Sequence, residues 1–112
     1  MKHIASMLCV VSTLASLATP AAGVEMTGKE VFDHYCTYCH GSGDGPGTLQ
    51  LRRTRGTDKA LLTERTDLTP QYIELVVRHG LRSMPPFVPS DLTEAKLKAL
   101  VGFLTSPLPG RR

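Results

Sequence analysis

Apolar residues return along this chain at intervals of three and four, the spacing of one helix face, rather than at intervals of two. Val31, Phe32 and Tyr35 form one such stripe, Ile73, Val76 and Val77 a second, and Leu97, Leu100, Val101 and Leu104 a third, with Phe103 beside it. No strand pattern runs longer than three residues, so the chain reads as all-α. Polar residues mark the helix ends. Thr27-Gly-Lys-Glu30 has the Thr and Glu of a capping box three apart, which starts the first helix at Thr27 and carries it into Cys36. Thr69 followed by Pro70 starts the second, with proline at the first helical position, and Gly80 ends it. The last begins near Thr93, where Leu92 and Leu97 stand at the positions of a hydrophobic staple, and Pro107 stops it. The tail from Leu108 to Arg112 is expected to fray.

The stretches between the stripes differ in kind. Gly41, Gly43, Gly45, Pro46 and Gly47 predict a loop with neither helix nor strand. Residues 48–66 carry no clear period. Arg52, Arg53, Arg55, Lys59 and Arg65 face only Asp58 and Glu64 there, a local excess of +3. Three readings of that excess stay open: solvated surface, pairing of one arginine with a carboxylate-bearing ligand, or docking to an acidic partner. Leu49, Leu51, Leu61 and Leu62 are candidates to cover an apolar ligand. Leu81 to Phe87 contains Met84-Pro85-Pro86, and the prolines predict an extended loop of fixed course.

Residues 1–23 have the pattern of an export signal. Lys2 and His3 give a positive start, Ile4 to Leu17 is apolar apart from small Ser and Thr, and Ala21-Ala22-Gly23 fits a cleavage site. The apolar run is short for a membrane anchor. The expected organisation is a signal peptide over 1–23 and one domain over 24–112, located in the periplasm, with no stable membrane insertion after cleavage. Cys9 leaves with the signal, so the mature chain keeps two cysteines, and Lys2 leaves too, lowering the formal net charge from +3 to +2. That near balance, without interleaved aromatic and basic residues, gives no reason to expect nucleic acid binding. A domain this small buries a limited core and gains from a staple.

Cys36-Thr-Tyr-Cys39-His40 suggests what the staple is. The C-x-x-C-H spacing is that of covalent haem attachment. Each thiol adds to one vinyl group, the two intervening residues let both sulfurs reach one ring, and the following histidine is held beside the iron. Half a zinc site and a dithiol redox pair share the C-x-x-C spacing. Zinc needs about four ligands, for which there is no second cysteine pair, and the redox pair needs a βαβ setting that the helical pattern does not offer. For the far side of the iron the mature chain offers Met26, Met84, His34 and His79. Met26 and His34 lie on or beside the helix that bears the haem. His79 remains a rival to Met84, its alternative role being a helix C-terminal charge. A carbonyl near Pro46 is a candidate acceptor for the other ring nitrogen of His40, since metal-bound histidines donate that N–H to a partner.

Helix, C-x-x-C-H, loop, helix, Met-Pro loop and terminal helix together resemble a class I cytochrome c over nearly all of the mature chain. The resemblance implies a cytochrome c fold of three to four helices wrapped around one haem c bound through Cys36 and Cys39. It implies His40 and Met84 as iron ligands, the Pro46 carbonyl as the orienting acceptor of His40, and contact of Gly28 and Phe32 with Leu100 and Phe103. The segment from Val77 to Ser90, with its flanking helices, is similar to the cytochrome subunit of 4-cresol dehydrogenase (p-cresol methylhydroxylase). The function implied is single-electron transport between a dehydrogenase and a downstream acceptor, without enzymatic activity of its own. The alternative is a dedicated cytochrome subunit of a flavin- or quinone-dependent oxidoreductase.

Overall fold

The computed structural model describes residues 25–108; the expected signal segment and the last four residues of the chain lie outside the described residues. Within that span the chain folds as α1 (Gly28–Tyr35), α2 (Thr37–His40), α3 (Pro46–Arg55), α4 (Pro70–His79) and α5 (Glu94–Thr105), with 3-10 turns at Thr57–Lys59 and Leu62–Glu64 between α3 and α4. No strand occurs among the described residues.

The polar caps are where the sequence puts them. Thr27 Oγ1 accepts from the Glu30 N–H at 3.3 Å and the Glu30 carboxylate accepts from the Thr27 N–H at 2.7 Å, a closed capping box. Thr69 and Thr93 accept from the N–H groups of Tyr72 and Lys96 in the same way. Gly80 ends α4 at φ 73°, a left-handed conformation that glycine adopts without a Cβ penalty.

Two expectations need correction. The glycine-rich stretch is not helix-free, because α3 begins inside it. Gly45 is the N-cap and Pro46 the first helical residue, where a missing N–H costs nothing. The helix then runs through residues 48–55, for which the sequence showed no period, because its narrow apolar face meets a ligand cavity rather than a broad core. The described residues thus hold five helical segments, one of them a single turn, consistent with the expected all-α cytochrome c fold. The second correction concerns residues 81–87, which are not extended throughout. Leu81 and Met84 exchange two backbone hydrogen bonds, each 3.0 Å, and close a tight turn. Arg82, the first of its two central residues, stands at φ 56°.

The core sits where α1, α4 and α5 meet. Val31, Phe32, Ile73, Val77, Leu92, Leu97, Leu100, Val101 and Leu104 bury together. α1 and α5 cross closely because Gly28 has no side chain. A Cβ at that position would overlap the Ala99 carbonyl oxygen and stand 2.6 Å from Phe103 Cβ. Phe32 and Phe103 fill the crossing with ring centroids 5.8 Å apart. The implied pairing of Gly28 and Phe32 with α5 is thus present.

Candidate functional site

The C-x-x-C-H stretch is itself a helical turn. His40 N–H donates to the Cys36 carbonyl at 2.8 Å and Cys39 N–H to the same carbonyl at 3.1 Å. Residues three and four apart on a helix share a face, so Cys36, Cys39 and His40 are presented together. All three line a cavity of about 600 Å³, within the range of small-molecule and cofactor sites. Both thiols are free and half-buried. Burial, and secondarily the neighbouring Cys39, pushes the Cys36 thiol up to about 12. Burial pushes His40 down, favouring the neutral imidazole that ligates metals.

α3 forms the seat of His40. Gly47 lies against the imidazole so closely that a Cβ there would stand 2.6 Å from Cε1 and 2.8 Å from Nδ1. Thr48, fully buried, donates its hydroxyl proton to the Gly41 carbonyl at 2.8 Å and ties α3 back to the end of the C-x-x-C-H turn. Pro46 and Gly47 both line the cavity. The expected hydrogen bond from His40 to Pro46 is not made: His40 Nδ1 is buried without a hydrogen-bond partner. With Pro46 at the helix start, its carbonyl belongs to the first turn of α3 rather than to a free loop.

From the other elements, α4 contributes Ile73, Val76 and Val77 to the cavity wall, and the 81–84 turn contributes Met84, which is half-buried there. The other sequence candidates for the far ligand do not line this cavity. His79 is exposed, His34 is exposed and lies edge-on to Tyr35, and Met26 packs against the core. Leu49, Leu51 and Leu62 line the cavity as anticipated, and Leu61 does not. No group of three or more His, Cys, Asp and Glu side chains among the described residues forms a metal site, so the zinc alternative finds no ligand set.

The basic stretch is less unbalanced than its count suggests. Arg65 forks onto Asp67, one residue beyond the window, through two bonds of 2.8 Å, and Lys59 lies 3.4 Å from the same carboxylate. The Arg65 hydrogen bond is the main cause holding the Asp67 carboxyl well below the usual carboxylate range. Arg52 reaches Asp44 at 3.5 Å. Arg53 and Arg55 turn to the cavity instead, as does Arg82. The residue pattern did not single out Arg82, nor Arg78, which binds the Phe87 and Leu92 carbonyls outside the cavity. The one signal for Arg82 was its place two residues before Met84. Arg78 gave none, since an arginine in the last turn of a helix ordinarily serves the dipole.

Residues 23–104 match the family described as cytochrome C oxidase, cbb3-type, subunit III. Among solved structures the chain is similar to a chain of the crystal structure of p-cresol methylhydroxylase with substrate bound, at 30% identity and a TM-score of 0.53, over 71% of this chain and 90% of that one. No curated protein matches. The family match runs from ahead of α1 to the last turn of α5 and so takes in the whole cavity wall. Two free thiols, an imidazole that burial favours as neutral and a thioether around one apolar cavity are a donor set that fits haem c. The chain belongs to the cytochrome C oxidase, cbb3-type, subunit III family, and it is an all-α class I cytochrome that carries electrons on covalently bound haem c.

Proposed function

We propose that this is an exported, periplasmic mono-haem cytochrome that passes single electrons from a dehydrogenase to a downstream acceptor. The observation that carries the reading is the convergence of Cys36, Cys39, His40 and Met84 on one cavity. Cys36 and Cys39 would hold the haem by thioether bonds, and His40 and Met84 would bind its iron. When bound, the haem supplies the one-electron redox couple; the chain contributes ligand identity, burial and a docking surface. His40 is kept neutral by burial and is braced by Gly47 and Thr48. Pro46 opens the helix that carries this brace. Arg53, Arg55 and Arg82, which line the cavity together with Arg65, are candidates to meet the haem carboxylates. With His40 and Met84 both bound to the iron, no open site would be left for a substrate, which supports a carrier that is not an enzyme by itself.

A second reading, a dedicated subunit of a flavin- or quinone-dependent oxidoreductase, draws support from the likeness to a chain of p-cresol methylhydroxylase. It also draws on Leu75, Leu81 and Val88, apolar side chains between 46% and 57% exposed. Co-purification with a larger dehydrogenase separates the two.

The ligand assignment is tested on the ferric holoprotein. Wild type should show the weak long-wavelength band of a thioether-ligated haem and should retain its haem through acid-acetone extraction. Met84→Ala should lose the band, lower the reduction potential and admit cyanide, while His79→Ala should do none of these. If His79→Ala alone alters the spectrum, the haem is bis-histidine. Extraction of all haem from wild type would overturn covalent attachment.

A further inference from the structure

Nothing in the sequence marks Arg78, yet its side chain makes three hydrogen bonds to two other segments. Its side chain is only 17% exposed although it is charged. Nη1 donates to the Phe87 carbonyl at 3.0 Å and to the Leu92 carbonyl at 2.8 Å, and Nη2 donates to Glu94 Oε1 at 2.6 Å. One guanidinium on α4 thus binds both ends of the 87–92 segment and the first turn of α5. A planar fork with several fixed donors suits such a junction, and lysine does not reproduce it.

The place of these contacts matters more than their number. Phe87 is held on both sides: its N–H donates to the Val77 carbonyl at 2.8 Å, and its own carbonyl takes the Arg78 bond. Phe87 is three residues after Met84 and is joined to it by Pro85 and Pro86, whose φ angles are fixed by their rings. On the other side the Leu81–Met84 turn is tied to α4 through Gly80, where a Cβ would stand 2.6 Å from the Met84 carbonyl. Met84 is therefore carried on a short stiff span, closed on one side by the turn and latched on the other by Arg78.

We infer that Arg78 is a positioning residue for Met84. Its two bonds to backbone carbonyls keep the span from lifting and so keep the thioether in the cavity. This rests on Met84 being the far ligand of the haem, as proposed above. Arg78 does not touch the ligand; it sets how often the ligand leaves.

The test is the rate at which cyanide enters the ferric holoprotein. Cyanide can bind only after Met84 departs, so the rate reads detachment and not general stability. Arg78→Gln should raise it by about tenfold to a hundredfold, the factor corresponding to loss of hydrogen bonds from a charged donor. Arg78→Lys keeps a charge facing Glu94 and is the variant to use if Arg78→Gln fails to fold. It should recover most of the melting temperature but remain faster than wild type, since a single ammonium has no second nitrogen for Glu94 and lacks the fixed planar fork that holds both carbonyls at once. Val101→Ala truncates a buried residue of α5 that does not line the cavity. It should lower the melting temperature while leaving the cyanide rate near that of wild type. If the rate follows melting temperature alone across the three variants, or if Arg78→Lys and Arg78→Gln match wild type, Arg78 is only a structural residue and the inference is wrong. A wild-type protein without the thioether band would sink the ligand assignment and the latch together. Loss of that band in Met84→Ala, with unchanged rates in the Arg78 variants, would sink the latch alone.

Discussion

Gly47 shows how a single missing side chain sets a functional group. Alanine in its place would favour the helix by about 1 kcal/mol. Against this, its Cβ would meet the His40 ring and the Cys39 carbonyl oxygen at 2.6–2.8 Å. Neither neighbour is the free end of a flexible chain, so overpacking of about 1–3 kcal/mol should win. Gly47→Ala is expected to lower the holoprotein melting temperature and to shift the haem spectrum as the ring is displaced. Gly43→Ala is the control, since nothing lies within 4 Å of a Cβ there. If the two variants melt alike with wild-type spectra, the seat is not tight. Asp67 illustrates a different residue-scale effect. Its carboxyl is held well below the usual range, chiefly by the Arg65 hydrogen bond. A carboxyl with a lowered folded-state pKa adds stability above its unfolded value of about 3.9, and that stability is lost as pH falls below it. Asp67→Asn should therefore lower the melting temperature at neutral pH and flatten its decline below about pH 4. An unchanged acid slope would mean that the exposed pair contributes nothing, as many surface pairs do.

At the scale of elements, the sequence was readable where a polar cap met an apolar stripe. α1, α4 and α5 have threonine caps and apolar stripes, α4 and α5 have stop residues as well, and the three starts fall on Thr27, Thr69 and Thr93 as the residues predict. α3 was not readable because its signals conflict. Its N-cap and first residues are glycines and a proline of a loop-like stretch, and three of its ten residues are arginines. The 81–84 turn was hidden for a related reason, since its central pair is Arg-Ser without the glycine that usually announces such a turn. The α1–α5 crossing, by contrast, was implied by Gly28, and it yields a sharp expectation. Even one methyl at Gly28 overlaps the Ala99 carbonyl, a backbone group that cannot turn aside. Gly28→Ala should thus cost about 1–3 kcal/mol, which for a domain of this size lowers the melting temperature by about 4–8 °C per kcal/mol. Thermal unfolding followed by circular dichroism checks this, and an unchanged midpoint would mean the helices separate without loss.

For the whole molecule, the decisive fact is that the buried core lies to one side of the functional cavity and meets it at Ile73, Val77, Leu100 and Leu104. The apolar side chains that bury one another belong to α1, α4, α5 and Leu92. Apart from them, Ala60 and Thr48 are the buried residues of the 46–66 region, and Thr48 is spent on the carbonyls of the C-x-x-C-H turn. α3 packs chiefly on α2 and on the 3-10 turn that follows it. Its connection to α4 runs largely through the shared cavity, into which Leu49, Leu51, Val76 and Val77 project. The chain has no disulfide among the described residues to hold that half in place. It follows that haem does two structural jobs of unequal size. For α1, α4 and α5 it extends an existing core, whereas for residues 46–66 it supplies most of the core they have. Expressed without haem, a chain of residues 24–112 should lose helical circular dichroism, and the loss should be graded. Amide hydrogens of residues 46–66 should exchange with solvent at once. Those of α1 and α5, joined by Phe32, Phe103 and the Gly28 crossing, should retain the last protection. Hydrogen exchange read residue by residue on the haem-free protein decides the matter. Equal protection of α3 and α5 would show that the 46–66 region has a core of its own and that the cavity is not what joins the two halves.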